Sequence, residues 1–169
     1  LDKAFVEKIS IPVSNKNHVN VFSGREGIIE ALHHVLSIRK NERIHGFQGL
    51  NAFNSWVAFL GEKEVARLNN IIKKNELIMV GVRSSGLRDE ILKKELIKES
   101  YKGRLAQAHA IPEEFFQDHL SIYIFRDTVL FIDLKNEDAF EICDKILASG
   151  MLKLVQFILT KTNRDEIIF

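Results

Sequence analysis

Two kinds of residue in this chain have chemistry to offer: imidazoles and a set of polar groups next to strand ends. His119 opens the run His119-Leu120-Ser121-Ile122-Tyr123-Ile124-Phe125-Arg126-Asp127, where an imidazole could act as nucleophile or base. The chain has six histidines. His33 and His34 invite a metal-binding reading with His45 or His109. Adjacent helical positions point about 100° apart, so the pair is read as a solvated helix face, and no metal is expected. Arg83-Ser84-Ser85-Gly86 and Gln48-Gly49 each follow an apolar run, the place where open α/β sheets hold ligands. With Arg104, His109 and His119 they form the expected polar effector site: Gln48, Arg83, Ser84, Ser85, Arg104, His109 and His119. The opposing reading of these loops is ordinary turn chemistry. Gly24, Gly27, Gly46 and Gly49 match neither glycine-rich nucleotide fingerprint. Gly27 is read as a close-packing position of helix on sheet.

Composition narrows the function classes. The 169 residues fit one compact domain, and 46% hydrophobic content is enough for a core. Twenty-four basic and 23 acidic residues leave a net charge of +1, which is no footprint for a nucleic-acid-binding domain. Cys143 is the single cysteine, which rules out an internal disulfide and fits a reducing, cytoplasmic compartment. No apolar run is long enough for a membrane span. The chain opens on Leu1 rather than Met and is read as a domain from a longer protein.

The elements that must position these groups follow from patterning. Residues 1–17 read as a connector, with Pro12 and a polar cluster breaking periodicity. Val19 to Phe22 alternates as a strand. Ser23-Gly24-Arg25-Glu26 has the form of a capping box, and a helix to about Lys40 carries Ile28, Ile29, Leu32, Val35 and Leu36 on one stripe. A strand at 42–47 would pair parallel with the first through that crossover. Helices are expected over 51–60, 62–74 and 88–100, and a doubly covered strand over 77–82. A strand at 105–110, a hairpin over 120–133 and a strand at 138–143, with Phe140 and Ile142 alternating, complete the sheet. Asp144 would cap the last helix, whose broad apolar face is expected in the core. The predicted class is α/β, a mixed, mainly parallel sheet with helices on both faces.

The run from His119 resembles the phospholipase D motif His-x-Lys-x-x-x-x-Asp. Ser121 stands at the Lys position and Arg126 at the Asp position. The wider pattern resembles the effector domain of TrmB-like transcriptional regulators. It is carried by Val21-Phe22-Ser23-Gly24-Arg25-Glu26-Gly27-Ile28 opening a helix, an Arg67 helix leading into the 76–83 strand, Pro112 before a loop, the 120–133 hairpin and the closing helix. It covers roughly residues 18–160.

The resemblance implies a phospholipase D-like fold without phospholipase activity. It implies a regulatory domain over 18–169, attached to a DNA-binding winged helix-turn-helix that would precede residues 1–17. It implies a homodimer, DNA contact only through that other domain, and a small-molecule effector such as a sugar or other polar metabolite. Sugar-responsive members carry an additional C-terminal region, whereas this chain ends soon after its last helix. No cofactor and no enzymatic activity are expected. Two other readings stand beside this one: a phospholipase D-like phosphodiesterase or nuclease with an unusual site, and a purely structural dimerisation module.

Overall fold

A computed structural model describes residues 11–12, 17–116, 119–162 and 164–165. Most of the expected connector therefore lies outside the described residues. In chain order the elements are β1 (Ile11–Pro12), β2 (His18–Ser23), α1 (Gly24–Leu36), β3 (Arg43–Gln48), α2 (Leu50–Leu60), α3 (Glu62–Lys74) and β4 (Ile78–Ser84). They continue with α4 (Leu87–Leu92), α5 (Glu95–Tyr101), β5 (Ala106–Ile111), a short 3-10 turn (Glu113–Phe115), β6 (Leu120–Phe125), β7 (Thr128–Asp133), β8 (Asp138–Cys143), α6 (Lys145–Lys161) and β9 (Arg164–Asp165).

The strands form one sheet in the order β1-β2-β8-β7-β6-β3-β4-β5-β9. It is a mixed α/β sheet with helices on both faces, as patterning requires. The expected predominance of parallel pairing holds only for β3, β4 and β5; every other neighbour is antiparallel. For β6-β7-β8 the reason is the local meander, whose short turns permit nothing else. β2 also departs from expectation. It does not pair with β3 across the α1 crossover but crosses to β8, with Val21 opposite Phe140.

Strand alternation sorts the side chains. On one face Phe22, Ile44, Phe125, Leu130 and Ile132 pack under α1, α2 and α3 with Ile28, Leu32, Val35 and Trp56. On the other, Val82, Ile124 and Val129 pack under Ala148 and Val155 of α6. Phe53, Leu87, Ile91 and Ile97 form a third cluster where α2, α4 and α5 meet. Gly27 is a contact position as expected: a Cβ there would stand 3.2 Å from Phe22.

Local expectations fare unevenly. Asp144 caps α6, accepting from Leu147 N at 2.8 Å. Ser23 does not close a capping box. It lies opposite Asp138 in the sheet and its hydroxyl donates to the Asp138 carboxylate at 2.7 Å. The helix expected over 88–100 is two helices broken at Lys93-Lys94. On β8 the buried face is Ala139 and Glu141, not Phe140, which is 42% exposed. The apolar face of α6 is only partly in the core. Ala148 and Val155 are buried, while Ile146, Leu154 and Phe157 are 84%, 59% and 61% exposed.

Candidate functional site

The phospholipase D-like frame sits at the start of β6. His119 has φ +65° and its Nδ1 lies 2.6 Å from Ser55 Oγ on α2. Ser121, with no solvent exposure, accepts a hydrogen bond from Trp56 Nε1 at 2.9 Å. Arg126, in the β6–β7 turn at φ +51°, donates from Nε to Glu42 Oε2 at 2.9 Å on the surface. The hydroxyl at the Lys position thus serves packing, and the guanidinium at the Asp position forms an exposed ion pair. That pair holds the Glu42 carboxyl below its ordinary value, although burial works in the opposite direction.

The crevice beyond the parallel strand ends is filled by the chain itself. Glu113 reaches back from behind β5, and its carboxylate accepts from Leu50 N at 3.1 and 3.0 Å, capping the first turn of α2. Phe116 packs so closely that a Cβ on Gly49 would meet it at 2.8 Å. Ser84 is buried and its Oγ accepts from Gly86 N at 3.2 Å. Ser85 is exposed, and its amide donates to Ile111 O at 3.0 Å. The Ser84 hydroxyl thus closes the turn, and Ser85 contributes its backbone amide.

Open space lies instead beneath the helices. Gly46 of β3 is in register with Gly81 of β4, and Gly81 with Ala108 of β5. This row of missing side chains floors a cavity of about 90 Å³, bordered by Gln48, Arg83, Tyr101, Arg104 and Tyr123. A second cavity of about 120 Å³ shares Gln48, Tyr101, Arg104 and Tyr123 and runs on toward Trp56 and Asn69. Volumes of this size hold several waters or a small ligand. A Cβ on Gly81 would find nothing nearer than Gly46 O at 3.8 Å, so the floor is open.

The walls are mostly apolar, with a few polar groups set among them. Arg104 donates from Nη1 to Asn69 Oδ1 at 2.7 Å and its guanidinium lies 4.4 Å from the Tyr101 ring centre. Its Nε is buried without an acceptor among the described residues. Arg83, 4% exposed, projects from β4 into the same region. Burial and the neighbouring Tyr101 push the Tyr123 phenol up to about 12, with Arg104 pulling the other way.

Of the seven residues expected in the site, the structure brings together Gln48, Arg83 and Arg104. His109 is on the opposite face of the sheet, its Nδ1 3.1 Å from Thr162 O and 3.0 Å from Thr162 Oγ1, where it ties β5 to the end of α6. Ser84, Ser85 and His119 do not line the cavity. The sequence reading did not include Tyr101, Tyr123 or the glycine row. Paired glycines inside two apolar strands were the available signal, since an interior strand glycine marks a close approach or a gap.

No family model matches the chain, and no curated protein matches it. Solved structures do. TrmBL2, described as an archaeal chromatin protein with a novel mode of DNA binding, is 15% identical with a TM-score of 0.55. That match covers 93% of this chain and 57% of the TrmBL2 chain, so this chain spans little more than half of that length. Nuc, a phospholipase D family member from Salmonella typhimurium, is 15% identical with a TM-score of 0.56, covering 89% of this chain and 99% of Nuc. At this identity the likeness is one of fold: a phospholipase D-like α/β unit of the kind found in a TrmB-like protein.

Proposed function

From this phospholipase D-like fold, shared with a DNA-binding TrmB-like protein, we propose that the chain is a non-enzymatic regulatory domain of a TrmB-like transcriptional regulator. It would bias an attached winged helix between DNA-binding states, acting as a homodimer and taking a small polar effector. The observation that carries the reading is the state of the degenerate motif. Ser121 is committed to Trp56 and Arg126 to Glu42, so two of the motif's three positions serve packing and surface pairing. Phosphoryl transfer relies on positioned cations around the phosphate, and neither position supplies one to a cleft.

The effector site we assign is the cavity over Gly46 and Gly81, with Gln48, Arg83, Arg104 and Tyr123 as its polar groups. The Arg104 guanidinium, whose Nε has no acceptor among the described residues, and the Tyr123 phenol suit a small metabolite carrying an anionic group. A second copy of the chain would dock on the exposed apolar face of α6, because paired DNA half-sites require paired readers. Effector control requires unequal affinity for the two DNA-binding states, typically about 1–3 kcal/mol of coupling.

The test uses the full-length gene product in fluorescence-anisotropy titrations with DNA, with and without small organic anions. Binding that shifts about 5–150-fold on adding one of them is the expected result. The phosphodiesterase reading draws on the likeness to Nuc and on the retained His119. Hydrolysis of bis(p-nitrophenyl) phosphate by this chain, lost in His119→Ala, would establish it and overturn the regulatory one.

A further inference from the structure

A polar cluster beneath α1 plays no part in the reading above. β2 and β8 run antiparallel, with His18 opposite Cys143 and Asn20 opposite Glu141. Alternation puts all four side chains on one face of the sheet, at cross-strand and diagonal spacings that long side chains bridge. A ring nitrogen of His18, a carboxylate oxygen of Glu141 and Sγ of Cys143 lie within 4.8 Å of one another. Cys143 Sγ is 3.8 Å from Glu141 Oε1.

We propose that His18, Glu141 and Cys143 bind a divalent transition-metal ion, zinc first, in an open three-ligand site on the β2–β8 pair. Imidazole, carboxylate and thiolate are the ligand types zinc takes, and their mixture disfavours calcium and magnesium, which select oxygen alone. Tetrahedral zinc with ordinary bond lengths separates its ligand atoms by roughly 3.3–3.6 Å. Cys143 Sγ and Glu141 Oε1 are already near that spacing at 3.8 Å, and no pair need close by more than about 1 Å. The exposed His18 side chain can supply most of that movement.

The surroundings already hold the carboxylate in place. Glu141 is 4% exposed. Its Oε2 is 2.7 Å from His34 Nδ1 on α1, and its Oε1 accepts from Asn20 Nδ2 at 2.8 Å. A carboxylate only accepts, so His34 donates from Nδ1 and orients Glu141 from behind rather than competing for the ion. Thr128 Oγ1 stands 3.6 Å from Cys143 Sγ. Such outer contacts are what metal ligands need to keep their geometry. The fourth coordination position would face solvent beside His18 and carry water. Binding replaces the thiol proton of Cys143, which passes to buffer, and forms three protein–metal bonds.

The experiment takes the untagged chain, stripped with a chelator, and titrates it with cobalt(II) and then zinc(II). Cys143 is the only cysteine, so a sulfur-to-cobalt charge-transfer band in the wild type assigns it directly. The expected result is that band, intense visible bands of a tetrahedral ion, their displacement by zinc, and a zinc-dependent rise in Tm. His18→Ala and Cys143→Ser should abolish the spectrum. His34→Gln should weaken binding about 10–100-fold, while His33→Ala, on the exposed side of α1, should leave it unchanged. Absence of the charge-transfer band in the wild type overturns the proposal, as does a spectrum that survives His18→Ala. Neither outcome touches the regulatory reading.

Discussion

Trp56 donates its indole N–H to Ser121 Oγ over 2.9 Å, at a point where Ser121 is shut off from solvent. A catalytic lysine at this position would have to lie in that packed interface. Ser121→Ala leaves the indole donor without its acceptor and is expected to cost about 1–3 kcal/mol. Ser121→Lys restores the motif's residue type but buries an ammonium, and is expected to cost several kcal/mol without producing hydrolysis. Urea unfolding and a phosphodiesterase assay check both. A lysine variant as stable as the parent would show that the site can open.

Two glycines should respond in opposite ways to one methyl group. Gly49→Ala drives a Cβ to 2.8 Å from Phe116 and 2.9 Å from the Glu113 carboxylate that caps α2. It is expected to destabilise by about 1–3 kcal/mol. Gly81→Ala meets only Gly46 O at 3.8 Å and should change stability by less than about 1 kcal/mol. It should also weaken any ligand held over the glycine row. Thermal unfolding of the two variants side by side is the measurement.

Stability should fall at both ends of the pH scale for identifiable reasons. Burial, reinforced by Arg43, holds His45 below its ordinary value of 6.5. The unfolded chain binds that proton more tightly. His45 therefore contributes stability above about pH 6.5 that is lost as pH falls through the lower folded value. Tyr123 is the mirror case. Its phenol is raised from 10.0 to about 12, so the folded state keeps a proton the unfolded chain releases, and stability declines as pH climbs across that window. Tm against pH should show a flatter acid limb in His45→Gln and a flatter alkaline limb in Tyr123→Phe.

The exposed face of α6 makes the oligomeric state testable. Leu154→Lys and Phe157→Lys change side chains that are 59% and 61% exposed, so unfolding should move by no more than about 0.5 kcal/mol. Sedimentation should show the wild-type dimer turning into a monomer. A wild-type chain that sediments as a monomer would remove the self-association step from the regulatory reading.

Helix periodicity was legible because each stripe reports only on its own segment: Ile28 to Leu36 and Phe53 to Leu60 pack where their spacing places them. Strand partners were not legible. Nothing in Val19 to Phe22 encodes that it pairs with a strand some 120 residues away, since alternation names a face and not a neighbour. The same rule of two exposes a flaw in grouping Arg83 with Ser84: adjacent strand residues face opposite sides, and only Arg83 reaches the cavity. The strand-end crevice was a sound expectation for an open parallel sheet, but Glu113 and Phe116 occupy it. Glu141 carried a readable signal that went unused, a carboxylate flanked by Phe140 and Ile142 inside strand β8. Its partners, His34 and His18, lie over 100 positions away and meet it only through the fold.

The passage of β2 to β8 also sets a timetable for synthesis. At about 5–20 residues per second, a ribosome needs roughly 6–25 s after making β2 to deliver its mate. Through that interval the only hydrogen-bonding neighbour β2 can have from the described sheet is the two-residue β1, while the later meander can assemble almost as it emerges. A nascent chain with an unsatisfied ribbon edge is a natural client for chaperones, and slowing translation downstream of Ser23 should lower the yield of native protein.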